Sequence, residues 1–393
     1  MLEALKPQPQ DKIMALMGMY KADTRTDKLD LGVGVYKDAT GLTPIMRSVK
    51  SAEARLLQNQ KTKAYVGLLG DLTYNDAMRE LILGDAVDAA RVAGAQTPGG
   101  TGAIHQLFEL IKMATPGAKV WISTPSWPNH EAILKHLGMP IGKYRYFDET
   151  TCGVDFAAMK EDLAGAAMGD VVLLHGCCHN PTGANITVAE WAEITEVILA
   201  GGLVPMVDIA YQGFGDGLDA DVEGLRLMAG KVPQMLIAAS CSKNFGLYRD
   251  RVGVAFAIAA DATQQELSKG ALASINRVNY SFAPDHGAAV VSIIMNDADL
   301  RADWMSELEE MRLNMLSLRT GLADALRRAT NSDRFDFIAH HRGMFSRLGL
   351  TVEQVEILRV EYGIYMVSDS RVNIAGLPAD DMDKLAKAIA SVI

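Results

Sequence analysis

The chain has 393 residues, 49% of them hydrophobic and 22% charged, with a formal net charge of −10. That length predicts two domains, or one large domain with an appendage, and the composition supplies ample core. The acidic balance argues against a nucleic-acid or anionic-membrane partner, since either would select a basic face.

The start, "MLEALKPQPQDK", carries Lys6 and two prolines but no apolar run of signal-peptide length, and no later stretch approaches a membrane span. The four cysteines, Cys152, Cys177, Cys178 and Cys241, lack the spacing of a disulfide framework, and two are adjacent. Free thiols suit a reducing compartment, so the expectation is a soluble, cytoplasmic protein. From about residue 90 to 260, short apolar runs alternate with helical patterns. "KVWIS", "DVVLLH", "LVPMVD", "QMLIAAS" and "VGVAFAI" read as buried strands. "TVAEWAEITEVILAGG" reads as a helix opened by Thr187 and closed by Gly201. This alternation predicts an α/β fold with a mostly parallel sheet flanked by helices.

Further on, Trp304, Leu308, Met311, Met315, Leu318 and Leu322 recur at spacings of four and three, marking one face of a long helix. Short strands and a final helix, "PADDMDKLAKAIASVI", complete a smaller α+β domain. The expected division is a large domain over 44–310 and a small domain made of 1–43 and 311–393.

Ligands of open α/β sheets collect beyond the carboxyl ends of the strands. "DVVLLH" is followed by "GCCHNPTG" with Asn180, "LVPMVD" ends in Asp208 shortly before Tyr211, and "QMLIAAS" ends in Ser240 and leads to Ser242, Lys243 and Arg251. Upstream, "QTPGGTGAIHQLFELI" is a glycine-rich turn opening a helix, where Gly100, Thr101 and Gly102 offer backbone N–H groups to an anion. Taken singly these have ordinary readings: a common glycine turn, a helix cap at Asp208, a solvated charge at Arg251. "PGGTG" is not a P-loop, because no Gly-Lys-Ser/Thr follows, and "LGVGVY" lacks the third glycine of a dinucleotide fingerprint. "HGCCH" invites a zinc reading, but no second spaced pair follows and strand alternation sends neighbours to opposite faces, so no metal is expected. Jointly, a phosphate fits the glycine turn, the two serines and Arg251; an aldehyde fits Lys243; a protonated ring nitrogen fits Asp208. Phosphate, aldehyde and basic pyridine together describe pyridoxal 5′-phosphate.

With these residues in place the sequence resembles the class I pyridoxal-phosphate aminotransferases, in the aspartate and aromatic amino-acid branch. The likeness runs through "LGVGVYKDATG", "KAYVGLLG", "QTPGGTGA", "STPSWPNH", "HGCCHNPTG", "DIAYQGFGDGL", "SKNFGLYRDRVG", "NRVNYS", "GMFS" and "SRVNIAG", covering essentially the whole chain. It implies the fold type I architecture, with the large domain holding the cofactor, and a homodimer with shared active sites. It further implies Lys243 as the Schiff-base lysine and proton carrier, Asp208 on the pyridine nitrogen, and Tyr211 with Asn180 on the phenolic oxygen. Trp127 would stack on the ring, and Gly100, Thr101, Ser240, Ser242 and Arg251 would hold the phosphate. Tyr65 would reach the phosphate from the other subunit, and His130 and His175 would support Asp208. Arg371, with Gly34 and Asn180 nearby, would clamp the substrate α-carboxylate, and Arg277 would read a distal carboxylate across the interface. The Thr124–Pro125 and Asn180–Pro181 bonds are expected cis, as in the family.

Four positions depart from the usual pattern of aspartate-selective members: Ala64 before the phosphate tyrosine, Phe282 after "NRVNYS", Cys241 within "SCSK", and Arg347 in "MFSR". The first two make the entrance less polar and lean the reading toward aromatic donors, with dicarboxylates kept through Arg277. An aspartate-selective aminotransferase, a β-elimination lyase on the same fold, and a cofactor-binding regulatory module are the alternatives. Arg277 counts against the lyase, and the absence of any DNA-binding segment counts against the module.

Overall fold

Strands Met235–Ser240 and Val252–Ile258 are buried at every position, the pattern of strands covered on both faces. They are adjacent interior strands of a seven-stranded sheet in the computed structural model, which describes residues 1–7 and 10–393. We number its strands β1 (Val92–Pro98), β2 (Val120–Thr124), β3 (Ile141–Arg145), β4 (Val171–His175), β5 (Val204–Ile209), β6 (Met235–Ser240) and β7 (Val252–Ile258). Their order is β1-β7-β6-β5-β4-β2-β3. Only β7 runs against its neighbours; β2 to β6 are parallel. The chain divides into two compact units, Pro44–Asn314, which holds this sheet, and Met1–Thr43 with Met315–Ile393.

In the sheet unit, helix Gly99–Ala114 buries Ala103, Ile104, Leu107, Phe108 and Ile111 in a core shared with Ala95, Val120, Leu173, Met206 and Ala255. The spacing of three and four along this helix gives it one apolar face. Helix Val188–Gly201 starts with a capping box between Thr187 and Glu190. Its closing residue differs from the sequence reading: Gly201 is the last helical residue, and Gly202 adopts the left-handed conformation, at φ 60°, that ends the helix.

The smaller unit pairs Leu29–Asp30 with Ile364–Tyr365 in parallel and Phe345–Arg347 with Arg371–Asn373 antiparallel. Its core joins Leu29, Leu31, Leu318, Leu322, Leu358, Val372, Leu385 and Ile389. Arg319 is fully buried there, and its guanidinium donates to the carbonyls of Ile338, Arg342, Gly343 and Phe345 and to Ser346 Oγ. Charge-assisted bonds to a ring of carbonyls are what make a buried guanidinium tolerable. The long helix is Ala298–Thr330, and its six expected face residues are all buried. Among the described residues no helix is long and apolar enough to cross a membrane.

Candidate active site

The end of the sheet where β4, β5 and β6 finish gathers the polar residues. His175 and Asp208 are register partners on adjacent parallel strands, so their side chains share a face. His130, from helix Pro128–His136, brings Nε2 to 3.0 Å from Asp208 Oδ2. Ser126 Oγ lies 2.9 Å from His130 Nδ1 and 3.2 Å from His175 Nε2, tying the two imidazoles together. Burial works to raise the Asp208 pKa, but the hydrogen bond from His130, aided by His130 and Lys243 nearby, outweighs it and holds the carboxyl below its usual range. His175 is also lowered, by burial and then by His130, down to about 3, which leaves it neutral. Asp208 Oδ1 is buried and has no hydrogen-bond partner among the described residues. Such an acceptor at a strand end is costly unless a donor arrives from outside the chain.

Lys243 follows β6, its Nζ 4.6 Å from the centre of the Tyr211 ring. Alternation sends its neighbours in opposite directions. Ser240 and Ser242 share a hydrogen bond of 2.9 Å between hydroxyls, while Cys241 turns into the core beside Tyr74 and Met78. Burial pushes the Cys241 thiol up to about 12, with the Tyr74 contact opposing it, so it is inert.

Three segments meet beside the serines. Helix Gly99–Ala114 begins without a side-chain cap, so its first N–H groups, around Gly100 and Thr101, face the strand ends. A methyl group added to Gly100 would lie 3.1 Å from Ser240 Cβ, and one added to Gly99 only 2.5 Å from Arg251 Nη2. Glycine at both positions lets Ser240 and Arg251 approach the helix start closely, and Gly99 also takes a left-handed φ of 73°. Arg251 itself sits at φ 57°, a conformation that costs a residue bearing Cβ and is found where structure around it compels it.

Trp127 caps the same helix as His130 and meets its ring edge-on at 5.3 Å. Asn180 is buried and precedes a cis proline; the Thr124–Pro125 bond is cis as well. Ser126 and His179 are absent from the sequence expectation. His179 stacks on Tyr146 at 4.0 Å and contacts Ser123 Oγ at 3.1 Å and Thr182 Oγ1 at 2.8 Å, bracing the turn that carries Asn180. Ser126 stands beside Trp127 in "PSWPNH", a neighbourhood that could have drawn attention to it.

Tyr65 and Arg277 form a separate, exposed group on the sheet unit. Tyr65 is 84% exposed and stacks on Phe282 at 4.6 Å, nearly parallel. Arg277 Nη1 donates to Ser281 Oγ at 2.6 Å. In the smaller unit, Arg371 is buried, donates to the Gly32 carbonyl at 3.0 Å, and lays its guanidinium 4.3 Å from the centre of the Phe345 ring. A methyl group on Gly34 would fall 2.7 Å from Phe345 Cζ, and Asn373 pins the backbone on both sides through the carbonyls of Val33 and Val35.

These observations test whether pyridoxal phosphate fits. The buried Asp208 Oδ1 matches a pyridinium N–H, and the uncapped helix start with two hydroxyls and Arg251 matches a phosphate dianion. The residues fit the group.

Comparison with known proteins agrees. The chain is 57% identical to the aromatic-amino-acid aminotransferase of Paracoccus denitrificans, over 100% of both chains. It is 48% identical to the tyrosine aminotransferase of Rhizobium meliloti (strain 1021), again over 100% of both. It is 42% identical to the aspartate aminotransferase of Salmonella typhi, with the same coverage. A solved aromatic amino acid aminotransferase with 3-indolebutyric acid superposes with a TM-score of 0.98 at 57% identity, covering 100% of each chain. The aromatic-amino-acid aminotransferase from Burkholderia pseudomallei, covalently bound to pyridoxal phosphate, gives a TM-score of 0.97 at 40% identity, covering 100% of this chain and 99% of that one. The model of aminotransferase classes I and II matches residues 26–389, and the chain belongs to that family, whose cofactor is pyridoxal phosphate.

Proposed function

We propose that this enzyme moves an amino group between aromatic amino acids, and also aspartate or glutamate, and 2-oxo acids such as 2-oxoglutarate. The observation that carries the reading is Asp208: a buried carboxylate held ionised by His130, with one oxygen unpartnered among the described residues, at a strand end close to Lys243. When bound, pyridoxal phosphate supplies an aldehyde and an electron-withdrawing protonated ring. Asp208 keeps that ring nitrogen protonated, and Ser126 with His130 and His175 keeps Asp208 oriented. Gly100, Thr101, Ser240, Ser242 and Arg251 would hold the phosphate, Trp127 would cover the ring, and Asn180 and Tyr211 would hydrogen-bond its phenolic oxygen. Lys243 would hold the aldehyde end of the group, and its Nζ would accept the proton from the substrate Cα as the general base. Arg371 forks onto the α-carboxylate, with Gly34 leaving room beside it.

The enzyme works as a cytoplasmic homodimer, with Tyr65 and Arg277 serving the partner's site. Their exposure supports this, as does the stacking of Tyr65 on Phe282. Half-transamination of the purified, cofactor-loaded enzyme tests the proposal donor by donor. Phenylalanine, tyrosine and aspartate should each convert the aldehyde chromophore to the amine form. Conversion by aspartate and glutamate alone would restrict the enzyme to dicarboxylates, and release of pyruvate and ammonia would make it a lyase.

A further inference from the structure

The adjacent cysteines of "HGCCH" have no part in the chemistry above. On a regular strand they would point to opposite faces. Here Cys178 lies at φ 51°, a left-handed conformation that is costly for any residue bearing Cβ. The turn brings both sulfurs to one side. Cys177 Sγ, Cys178 Sγ and a carboxylate oxygen of Asp221 lie within 4.8 Å of one another, all on buried residues.

Asp221 is held for such a role. Its Oδ2 accepts from the backbone N–H groups of Gly213 and Gly215 at 2.8 and 2.9 Å, and its Oδ1 from that of Asp216 at 2.7 Å. These bonds fix the carboxylate and leave a lone pair on Oδ1. Gly215 permits the arrangement, since an added methyl group would lie 2.3 Å from Asp221 Oδ1. A cavity of about 230 Å³, lined by Cys177, Asp221, Asn185, Thr187, Trp191 and Asp216, adjoins the cluster. It has room for an entering ion and a coordinated water.

We propose that Cys177, Cys178 and Asp221 form a binding site for a soft divalent cation of the zinc and cadmium class. Two sulfurs and one oxygen are the donors such ions select. In a tetrahedral zinc site with metal–sulfur bonds of about 2.3 Å, ligand atoms stand roughly 3.8 Å apart, within the separation found here. Water from the cavity completes the fourth position. Binding replaces two S–H bonds with two metal–sulfur bonds and releases two protons, so affinity rises with pH.

Cadmium is the probe. A Cys152→Ser background of the cofactor-loaded enzyme removes the one cysteine that is not buried. Titration should give one cadmium per chain, with an ultraviolet thiolate-to-cadmium charge-transfer band of two Cd–S bonds. Cys177→Ser and Cys178→Ser should each weaken binding at least about a hundredfold, and Asp221→Asn about tenfold. Circular dichroism and the cofactor absorbance verify folding of each variant. Should Cys178→Ser fail to fold, Cys177→Ser, whose side chain lines the cavity, carries the test alone. No band in the parent, or an undiminished band in Cys177→Ser, overturns the site.

Discussion

Two groups of polar residues in the sheet unit are built on opposite terms. Around Asp208 the supports are enclosed and linked: Ser126 joins two histidines, and the fully buried His130 fixes the carboxylate. Around Arg277 the supports are a serine hydroxyl and the exposed Tyr65 stacked on a half-buried Phe282. The buried group suits a charge that must be in place before reaction, since preorganised dipoles cost no rearrangement when the electrons move. The exposed group suits a selector that must accept unlike side chains, because a guanidinium on a long stem can return to water when no carboxylate meets it. On the proposed reading, chemistry belongs to the enclosed group and selection to the exposed one, and each can be perturbed separately.

The largest effect should come from Lys243→Ala. Loss of the covalent anchor and proton carrier should reduce turnover roughly ten-thousandfold or more, with cofactor still held through its phosphate. Steady-state rates within tenfold of the parent would remove Lys243 from its role. Asp208→Ala should follow at about a thousandfold, read in single-turnover proton abstraction, with circular dichroism unchanged. An uncharged residue there supporting normal rates would reduce the carboxylate to a structural part.

The two arginines sharpen the contrast. Arg371→Leu should damage aspartate and phenylalanine turnover alike, by about 2–5 kcal/mol, because every donor has an α-carboxylate. Arg277→Leu should cost aspartate a similar amount while sparing or improving phenylalanine, since an aromatic ring has no carboxylate for the guanidinium to pair with and would meet it only at a desolvation cost. Equal losses for the two donors in kcat/KM would refute selection by Arg277. Phe282 follows that selector closely in sequence and stacks on Tyr65, whose chain neighbour is Ala64, so both place apolar groups beside it.

A smaller effect concerns acid stability. Asp208 has a folded pKa below its unfolded value near about 3.9, so its stabilisation is present above that pH and is lost as pH falls through the folded pKa. Asp208→Asn should therefore flatten the acid limb of stability measured by urea denaturation. Parallel limbs for parent and variant would contradict it.

Much of this was legible beforehand, for physical reasons. Five strands of the large sheet announce themselves as unbroken apolar runs. The two that do not are β1, "VAGAQTP", and β3, "IGKYR". In β1 small residues stand where bulky ones would collide: a methyl group on Gly94 would lie 2.8 Å from Phe256. Strand β3 is at the sheet edge and buries only alternate residues. Asp208 and Lys243 stand out because strand ends are where ligands gather. Ser126 does not, since a hydroxyl bridging two histidines from different elements has no linear signature. The bend at Cys178 was equally hidden, because pattern reading assumes the alternation that its backbone breaks.

The reversed direction of β7 has a consequence for how the molecule assembles. Because Gly253 pairs with Ser240, and Cys241 N–H bonds the Val252 carbonyl at 3.0 Å, the loop bearing Lys243 and Arg251 is closed by neighbours in sequence. Parallel pairs such as β4 with β5 must wait for a helical crossover, and closing longer loops is slower. The β6–β7 hairpin should therefore acquire protection early in refolding, ahead of the β4–β5 pairing. Pulsed hydrogen exchange would follow the Val254 and Phe256 amides against those of Leu173 and Val207. The loop proposed to anchor the cofactor would then be among the first parts of the chain to find its shape.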